Sequence, residues 1–581
     1  MTGIANRPTR GDHSDVVPRV DGHELALPAG PLRIAGQDDR DAAIQAIRDR
    51  LAADPTLGAG RLRLAWRWIR GAPPRIGPAL LPLLVRSAPL AGVTVVAAFL
   101  RFWQLTAVGF NSDEAVYAGT AASIAGDQSL RPMFPVFRAH PLLFQTLVAL
   151  AGHGHRPTEW AARAVPAAIG VAAVVVTYLL GGRLYGRVPG LVGAAILAVM
   201  PYHVVVSRQV LLDGLMTLCA TAALYCVVRY AHTRRPLWLM SAGAMMGLAV
   251  LAKETSVVLF GGLYAFFALT PAIRVRLRHQ AMALATVVAV AAAHPIVLSL
   301  AGRASTGQNY LLWQMFRRGN HGPQFYLTVV PPALGLPVVA AALAGLVWLR
   351  RENGWRERLL LCWMAVPVAF FSLWPVKGYQ YLLPVAPAMA VLAARALTRL
   401  RAAPLLARHP RLPRLVVAAA IATTLASLAV AAWAQVNPAP TGTFLAGTGG
   451  LPGGREAGQW VREHVPAGAQ LLASGPSIAN VLEFYGGRRV FALSVSTNPN
   501  SRNPAYVPVP NPDRALRDGQ FQYLVWDSYT AARAKFFADE TRRLVDRYHG
   551  VAVFTTTRPV RGRSGHLVVA PVIVIYQVRT A

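Results

Sequence analysis

Between residues 88 and 434 the chain reads as a series of apolar runs separated by short polar loops. The runs cover about 88–106, 162–181, 188–205, 210–228, 236–251, 255–272, 280–300, 326–348, 359–374, 381–398 and 415–434. Each is long enough, or nearly so, to cross the hydrocarbon core of a bilayer as a helix. The pattern changes on both flanks. Residues 1 to about 40 are polar, punctuated by Gly and Pro and without periodicity, which reads as disorder. A short helix is expected at Asp41–Leu51. Arg61–Arg70 then mixes Arg with Trp and aliphatic residues, as either a helix lying on a membrane surface or a basic juxtamembrane flank. Beyond 434, helix-like Arg455–Glu463, strand-like Gln470–Ala473, helix-like Ile478–Tyr485, strand-like Phe521–Trp526, helix-like Ala531–Tyr548 and strand-like Val551–Thr555 and Leu567–Tyr576 alternate in the manner of a small α/β domain. A proline-rich loop, Asn498 to Pro512, interrupts it. The expected architecture is therefore mainly α. It is a polytopic bundle of about eleven transmembrane helices at 87–434, preceded by a cytoplasmic tail at 1–86 and followed by an extracytoplasmic α/β domain at 435–581.

Composition sharpens this picture. Only 14% of the 581 residues are charged and 54% are hydrophobic, against about 25% charged in an ordinary soluble protein. The net charge of +32 does not form one basic surface of the kind that binds nucleic acid. It recurs between apolar runs, at Arg183 and Arg187, Arg229 to Arg235, Arg274 to Arg278, Arg350 to Arg358 and Arg395 to Arg414. That is the distribution of cytoplasmic loops facing anionic lipid. It places the N-terminus inside, and the loops 107–160 and 301–325 and everything after 435 outside the cytoplasmic membrane. The first 80 or so residues lack the apolar core of a signal peptide, so the first membrane helix serves as the insertion signal. Cys219, Cys226 and Cys362 all lie in apolar runs without metal-ligand spacing and read as free buried thiols.

The outer face so defined collects the unusual polar residues. Asp113 and Glu114 follow the first apolar run directly, where paired carboxylates are useful as a base, a metal ligand or a clamp for hydroxyls. Arg138 and His140 share their loop. Arg208 and Asp213 flank the third turn, Lys253 and Glu254 end the fifth run, His321 lies in the second long loop, and Lys377 precedes the tenth run. Taken singly these have plain structural alternatives: Asp213 as a helix cap, Lys253 with Glu254 as a local ion pair, His140 as a loop histidine, Lys377 as an interface snorkeler. Together they make a cleft of mixed charge on one side of the membrane, suited to a reaction in which a hydroxyl loses its proton while an anion departs.

Several of these residues lie in recognisable order. Phe110-Asn-Ser-Asp-Glu-Ala-Val-Tyr117, Arg138-Ala-His-Pro-Leu142 and Ser207-Arg-Gln-Val-Leu-Leu-Asp213 resemble, in sequence order, the type-C fold membrane glycosyltransferases, and within them the protein O-mannosyltransferase and lipid A aminoarabinose transferase superfamily. Asn320-His-Gly-Pro-Gln-Phe-Tyr326 and Lys377-Gly-Tyr-Gln-Tyr-Leu-Leu-Pro384 resemble its later motifs, and the likeness spans about 88–400. It departs at His140-Pro141, where many relatives carry a second proline. The resemblance implies inverting transfer of a sugar from a polyprenyl-phosphate donor to a hydroxyl acceptor on protein, lipid or polysaccharide, outside the cytoplasmic membrane. On that reading Asp113 is the base. Glu114, Arg138, His140, Arg208, Asp213, Lys253, His321, Tyr326, Lys377 and Tyr381 line the substrate site. Lys377 and Arg138 are preferred for the phosphate, with His321 and Lys253 behind them. The one candidate cofactor is a divalent cation, with Asp113 and Asp213 as its candidate ligands. Two other classes stay open. A transporter would gather charge near the bilayer midplane, and a non-catalytic envelope-binding protein would tolerate Asp113→Asn.

Overall fold

A computed structural model describes residues 77–316, 319–347, 354–400, 412–437, 451–561 and 566–579. The expected helices at Asp41–Leu51 and Arg61–Arg70 lie outside the described residues. The apolar runs fold as α1 (Gly77–Phe102), α4 (Glu159–Tyr185), α5 (Arg187–Val199) with α6 (Pro201–Val206), α7 (Leu212–Thr233), α8 (Pro236–Ala252), α9 (Val257–Ala268), α10 (Leu277–Ala291) with α11 (Ala293–Leu300), α13 (Phe325–Leu334) with α14 (Leu336–Gly345), α15 (Trp355–Leu373), α16 (Val385–Arg399) and α17 (Leu412–Val436). The first long loop carries α2 (Ser112–Ile124) and α3 (Leu143–Ala151), and the second carries α12 (Ala304–Phe316). This is a multi-pass membrane protein. Among the described residues, four helices are long and apolar enough to cross singly, and a fifth crossing arises if α13 and α14 form one broken span.

Two glycine sites explain features the apolar runs alone did not reveal. The run at 326–348 reads as one straight helix, yet it bends by 96° between α13 and α14. Pro331 and Pro332 remove two backbone donors there, and Gly335 takes φ +92°, which a side chain would disfavour. The α4–α5 hairpin closes on Gly181 and Gly190. A Cβ on Gly181 would come within 2.9 Å of the Gly190 Cα, so small residues let the two backbones meet.

After α17 the chain folds as α18 (Gly454–His464), β1 (Leu471–Ala473), α19 (Pro476–Gly486), β2 (Val490–Ala492), α20 (Pro512–Arg517), β3 (Tyr523–Asp527), α21 (Ser528–Arg533), α22 (Lys535–Arg547), β4 (Val551–Arg561) and β5 (Leu567–Gln577). The five strands form one sheet in the order β2-β1-β3-β5-β4, parallel around β1 and antiparallel around β5. All five residues of β3 are buried, as a central strand covered by helices requires. The short strand β2 and helix α20 were not legible in the sequence. β2 has three residues, too few for a period to register.

This region packs directly on the first long loop. Val481, Phe484 and Tyr485 of α19 share a buried cluster with Phe110, Ala115, Phe134 and Phe144. The Tyr485 hydroxyl accepts the Phe110 N–H at 2.8 Å. Arg455 of α18 binds the Glu159 carboxylate and donates to the Thr106 carbonyl at 2.7 Å. Arg489 donates to the Pro132 carbonyl at 2.6 Å, and Arg156 to that of Phe484.

Within α19, Glu483 is buried and accepts the Val490 N–H at 3.2 Å. Burial pushes its carboxyl up to about 7, against the opposing pull of Arg138, the Val490 N–H and Arg489. The folded state thus holds this proton more tightly than the unfolded chain. Its contribution to stability is complete below about pH 4.5 and is lost as pH rises through about 7. Thermal unfolding of detergent-solubilised protein should show wild type losing on the order of 3 kcal/mol from this group between pH 4.5 and pH 8. Glu483→Gln should flatten that part of the profile and be the more stable form at pH 8. An unchanged profile would mean that Glu483 is ionised throughout.

Candidate functional site

The site starts from the first turn of α2. Asn111 caps the helix: its side-chain oxygen accepts the Glu114 N–H at 3.0 Å, and the Glu114 carboxylate accepts the Asn111 N–H at 3.1 Å. Arg163 of α4 binds both Glu114 oxygens at 2.7 Å, and the Val210 N–H donates to one of them at 3.1 Å. The same guanidinium also donates to the carbonyls of Leu105 at 2.7 Å, Val108 at 2.6 Å and Gly109 at 3.1 Å. Glu114 is 0% exposed. It is a structural anchor and not, as expected, a group that holds sugar hydroxyls, because its four contacts already come from this chain. Consecutive helical residues point about 100° apart, so burying Glu114 turns Asp113 outward, where it is exposed.

Asp113 lines a cleft of about 540 Å³ together with Tyr117, Arg138, His140, Gln145, Tyr310 and Tyr506. Burial raises the Tyr117 phenol well above its ordinary pKa, and the carboxylates of Asp113, Asp213 and Glu254 push in the same direction. His140 is oriented at both ring nitrogens. Nδ1 meets the Glu254 carboxylate at 2.9 Å, and Nε2 meets the Tyr310 hydroxyl at 3.1 Å. An ionised carboxylate only accepts, so Nδ1 carries the proton that faces Glu254. Arg138 donates to the Met133 carbonyl at 2.9 Å and to Asn480 Oδ1 at 3.4 Å, and its guanidinium lies over the Phe134 and Tyr506 rings. Asn480 in turn donates to Ser112 Oγ at 3.0 Å and to Tyr506 at 2.9 Å. The C-terminal region therefore touches the residue next to Asp113.

The remaining expected residues fall into three groups. Asp213, in the first turn of α7, is paired at 2.8 and 3.0 Å with Lys253 at the end of α8, and Lys253 sits 4.5 Å from the Tyr381 ring centre. This overturns two expectations. Asp213 does not cap α7, and Lys253 pairs with Asp213 while its neighbour Glu254 goes to His140. The pair is buried and neutral as a whole, which removes Lys253 as a cation for phosphate. It also leaves Asp213 a poor partner for a divalent ion shared with Asp113. Among the described residues no group of three or more His, Cys, Asp or Glu side chains converges as a metal site. In a second group, Asn320 makes two 2.8 Å backbone bonds with Lys377, and the Tyr326 hydroxyl bonds both the N–H and the C=O of Gly378 at 3.2 Å. These latch the second long loop to the turn before α16. Tyr326 is thus a buried brace instead of a substrate contact, while the Lys377 ammonium donates to the Trp374 carbonyl at 2.8 Å and His321 stacks on Phe325 at 4.1 Å. Arg208 stands apart. It donates to the carbonyls of Leu100, Arg101 and Gln104, capping the end of α1.

Sequence reading passed over Tyr117, Arg163, Tyr310, Asn480 and Tyr506. Only Arg163 left a readable signal, as an arginine inside an apolar run. The others gain meaning from contacts between distant segments.

Residues 139–298 match the sequence model of a family described as dolichyl-phosphate-mannose-protein mannosyltransferase. No curated protein matches the chain in sequence. Among solved structures, ArnT from Cupriavidus metallidurans in the apo state is similar with a TM-score of 0.63 at 15% identity, over 85% of this chain and 98% of that one. Its form bound to undecaprenyl phosphate gives 0.59 at 16% identity, over 84% and 98%. The apo oligosaccharyltransferase of Archaeoglobus fulgidus gives 0.54 at 14% identity, over 83% and 74%. The fold is that of the type-C membrane glycosyltransferases. In this type-C chain the first-loop helix α2, the cleft it lines and the sheet region that closes over it form one continuous packing unit.

The anchoring of α2 can be separated from chemistry. Arg163→Ala leaves a buried carboxylate without its counter-charge and should cost about 3–5 kcal/mol, seen as a fall in melting temperature and in yield of folded protein. Asp113→Asn, on the exposed side of the same turn, should leave the melting temperature unchanged. Equal stability of both variants would remove Glu114 as the anchor.

Proposed function

We propose that the chain is an inverting glycosyltransferase that moves a hexosyl or pentosyl group from a polyprenyl-phosphate donor to a hydroxyl acceptor on the outer face of the cytoplasmic membrane. The observation that carries this reading is the exposed Asp113 carboxylate, fixed by its buried neighbour Glu114, in a cleft with Arg138, His140 and Tyr310. A base must reach the attacking hydroxyl and stay ionised; rigid attachment with solvent exposure supplies both. Asp113 takes the acceptor proton as the acceptor oxygen forms its bond to the anomeric carbon. The opposite carbon–oxygen bond breaks, and its electron pair leaves with the phosphate. Phosphate is a weakly basic leaving group, so no general acid is needed. Arg138 offers a planar guanidinium to the departing charge, with Lys377 as a second cation. His140, held by Glu254, positions the Tyr310 hydroxyl in the same cleft, where its oxygen can meet sugar or acceptor hydroxyls.

Two similar solved structures support the donor class. ArnT was solved bound to undecaprenyl phosphate, and the Archaeoglobus fulgidus oligosaccharyltransferase AglB in complex with an inhibitory peptide and a dolichol-phosphate. The position of charge also favours a transferase over a transporter. Asp213 and Lys253 lie at helix ends and the other groups on loops, whereas a transporter gathers charge along the midplane. The basic loops imply an N-terminus inside and residues 435–581 outside. A reporter that works only outside the cytoplasm, fused after residue 437, should be active; activity of a cytoplasmic reporter there would reverse the orientation.

Asp113→Asn keeps shape and hydrogen-bonding capacity but removes the proton acceptor. In nanodiscs its turnover should fall about a hundred- to ten-thousand-fold, while affinity for polyprenyl-phosphate sugar changes little. Arg138→Ala should instead weaken donor binding. Normal turnover by the Asp113→Asn protein would sink the catalytic reading of this loop.

A further inference from the structure

A second cleft adjoins the first. Helix α12 forms one wall with Asn309, Trp313 and Phe316, and the proline-rich loop forms the other with Asn500 and Arg502 between Pro499 and Pro504; together they frame about 720 Å³. The two clefts share both walls. Tyr310 of α12 lines the Asp113 cleft and Trp313, three residues on, lines the second, with their ring centres 5.5 Å apart. Likewise Asn503, Ala505 and Tyr506 face the first cleft and Asn500 and Arg502 the second. The two openings therefore lie side by side between the same helix and the same loop.

The first wall offers apolar surface: Phe316 is 69% exposed and Leu312 53%. The opposite loop is stiff: Asn498 accepts the Asn500 N–H at 3.0 Å, Asn503 accepts the Ala505 N–H at 3.0 Å, and proline stands at 499, 504, 508 and 510. A stiff loop holds its side chains ready and loses little freedom on binding. The chemistry on offer is specific. Aromatic rings present flat apolar faces to the C–H face of a pyranose or furanose ring. Side-chain amides and a guanidinium supply paired donors and acceptors at the spacing of neighbouring hydroxyls. A greasy peptide would not use the two amides, and the lining residues include no carboxylate to hold a cationic one.

We propose that this second cleft binds the carbohydrate portion of the acceptor, a neutral oligosaccharide chain whose end reaches the Asp113 cleft. The assignment deepens the transferase reading and rests on it for the direction of the chain. It narrows the acceptor to a growing glycan, and it gives the C-terminal region the role of choosing that acceptor.

Binding can be measured apart from catalysis. Full-length protein in nanodiscs, as wild type and as Asp113→Asn, is titrated with hexasaccharides of mannose, arabinose and glucose and with a Ser/Thr-rich dodecapeptide, read by saturation-transfer NMR. At least one hexasaccharide should bind both proteins alike. Asn500→Ala, Arg502→Ala and Phe316→Ala, each on an accessible wall and checked for an unchanged melting temperature, should weaken it roughly tenfold or more. Failure of every hexasaccharide, capture of the peptide alone, or affinity indifferent to all three substitutions overturns the proposal. Should Asp113→Asn turn over normally while the hexasaccharide still binds, the catalytic assignment falls and the glycan cleft stands.

Discussion

Glu114 and Arg163 meet where neither has access to water, and the arrangement around them depends on that meeting. Placing two charges in such a site costs several kcal/mol each unless every polar atom is answered. Here the five N–H groups of Arg163 reach five oxygens, two on Glu114 and three on the backbone of residues 105–109. The carboxylate completes its set with the N–H groups of Asn111 and Val210. One ion pair thereby joins the end of α1, the start of α2, the middle chain at Val210 and the first turns of α4. It fixes the rotation of α2, and with it the direction in which Asp113 points.

The same region explains why the segment after α17 is more than an appendage. The Phe110 ring packs against that of Phe484, tilted, with centres 5.1 Å apart, and Phe110 donates its N–H to Tyr485, while Arg163 lies 4.9 Å from the Phe110 ring centre. Asn480 then links Ser112, Arg138 and Tyr506. Anything that shifts α19 shifts both the residue next to Asp113 and the Arg138 guanidinium beside the cleft. A buried polar network of this kind specifies one arrangement strongly when every member is satisfied, and here its members come from chain segments more than 300 residues apart.

Several of the polar residues that stand out in the sequence support one another. Lys253 and Asp213 neutralise one another, Arg208 caps α1, and Tyr326 with Asn320 ties the second long loop to the turn at Lys377. Such residues look functional in a sequence because charge near a membrane helix is costly and so conspicuous. Much of that cost is offset by pairing them with each other.

What the sequence determined by itself follows from local and periodic physics. Apolar runs of bilayer length give helices, so every run from 88 to 434 appears as one helix or a broken pair, and the alternation after 451 gives a mixed sheet. The free, buried state of Cys219, Cys226 and Cys362 was also legible, because their surroundings are apolar on the chain itself. The carboxylate pair at 113–114 could be found, since two adjacent acids after a membrane helix stand out. Which of the two is buried could not be read there. That is decided by Arg163 and Val210, residues 49 and 96 positions away, which claim Glu114 and leave Asp113 at the surface. The 96° break at Gly335 and the pairing of Glu254 with His140 belong to the same class. A sequence pattern reports which groups must leave water or stay in it; which group meets which is fixed only when distant segments pack, because an ion pair or a hydrogen bond is satisfied by whatever lies within about 3 Å.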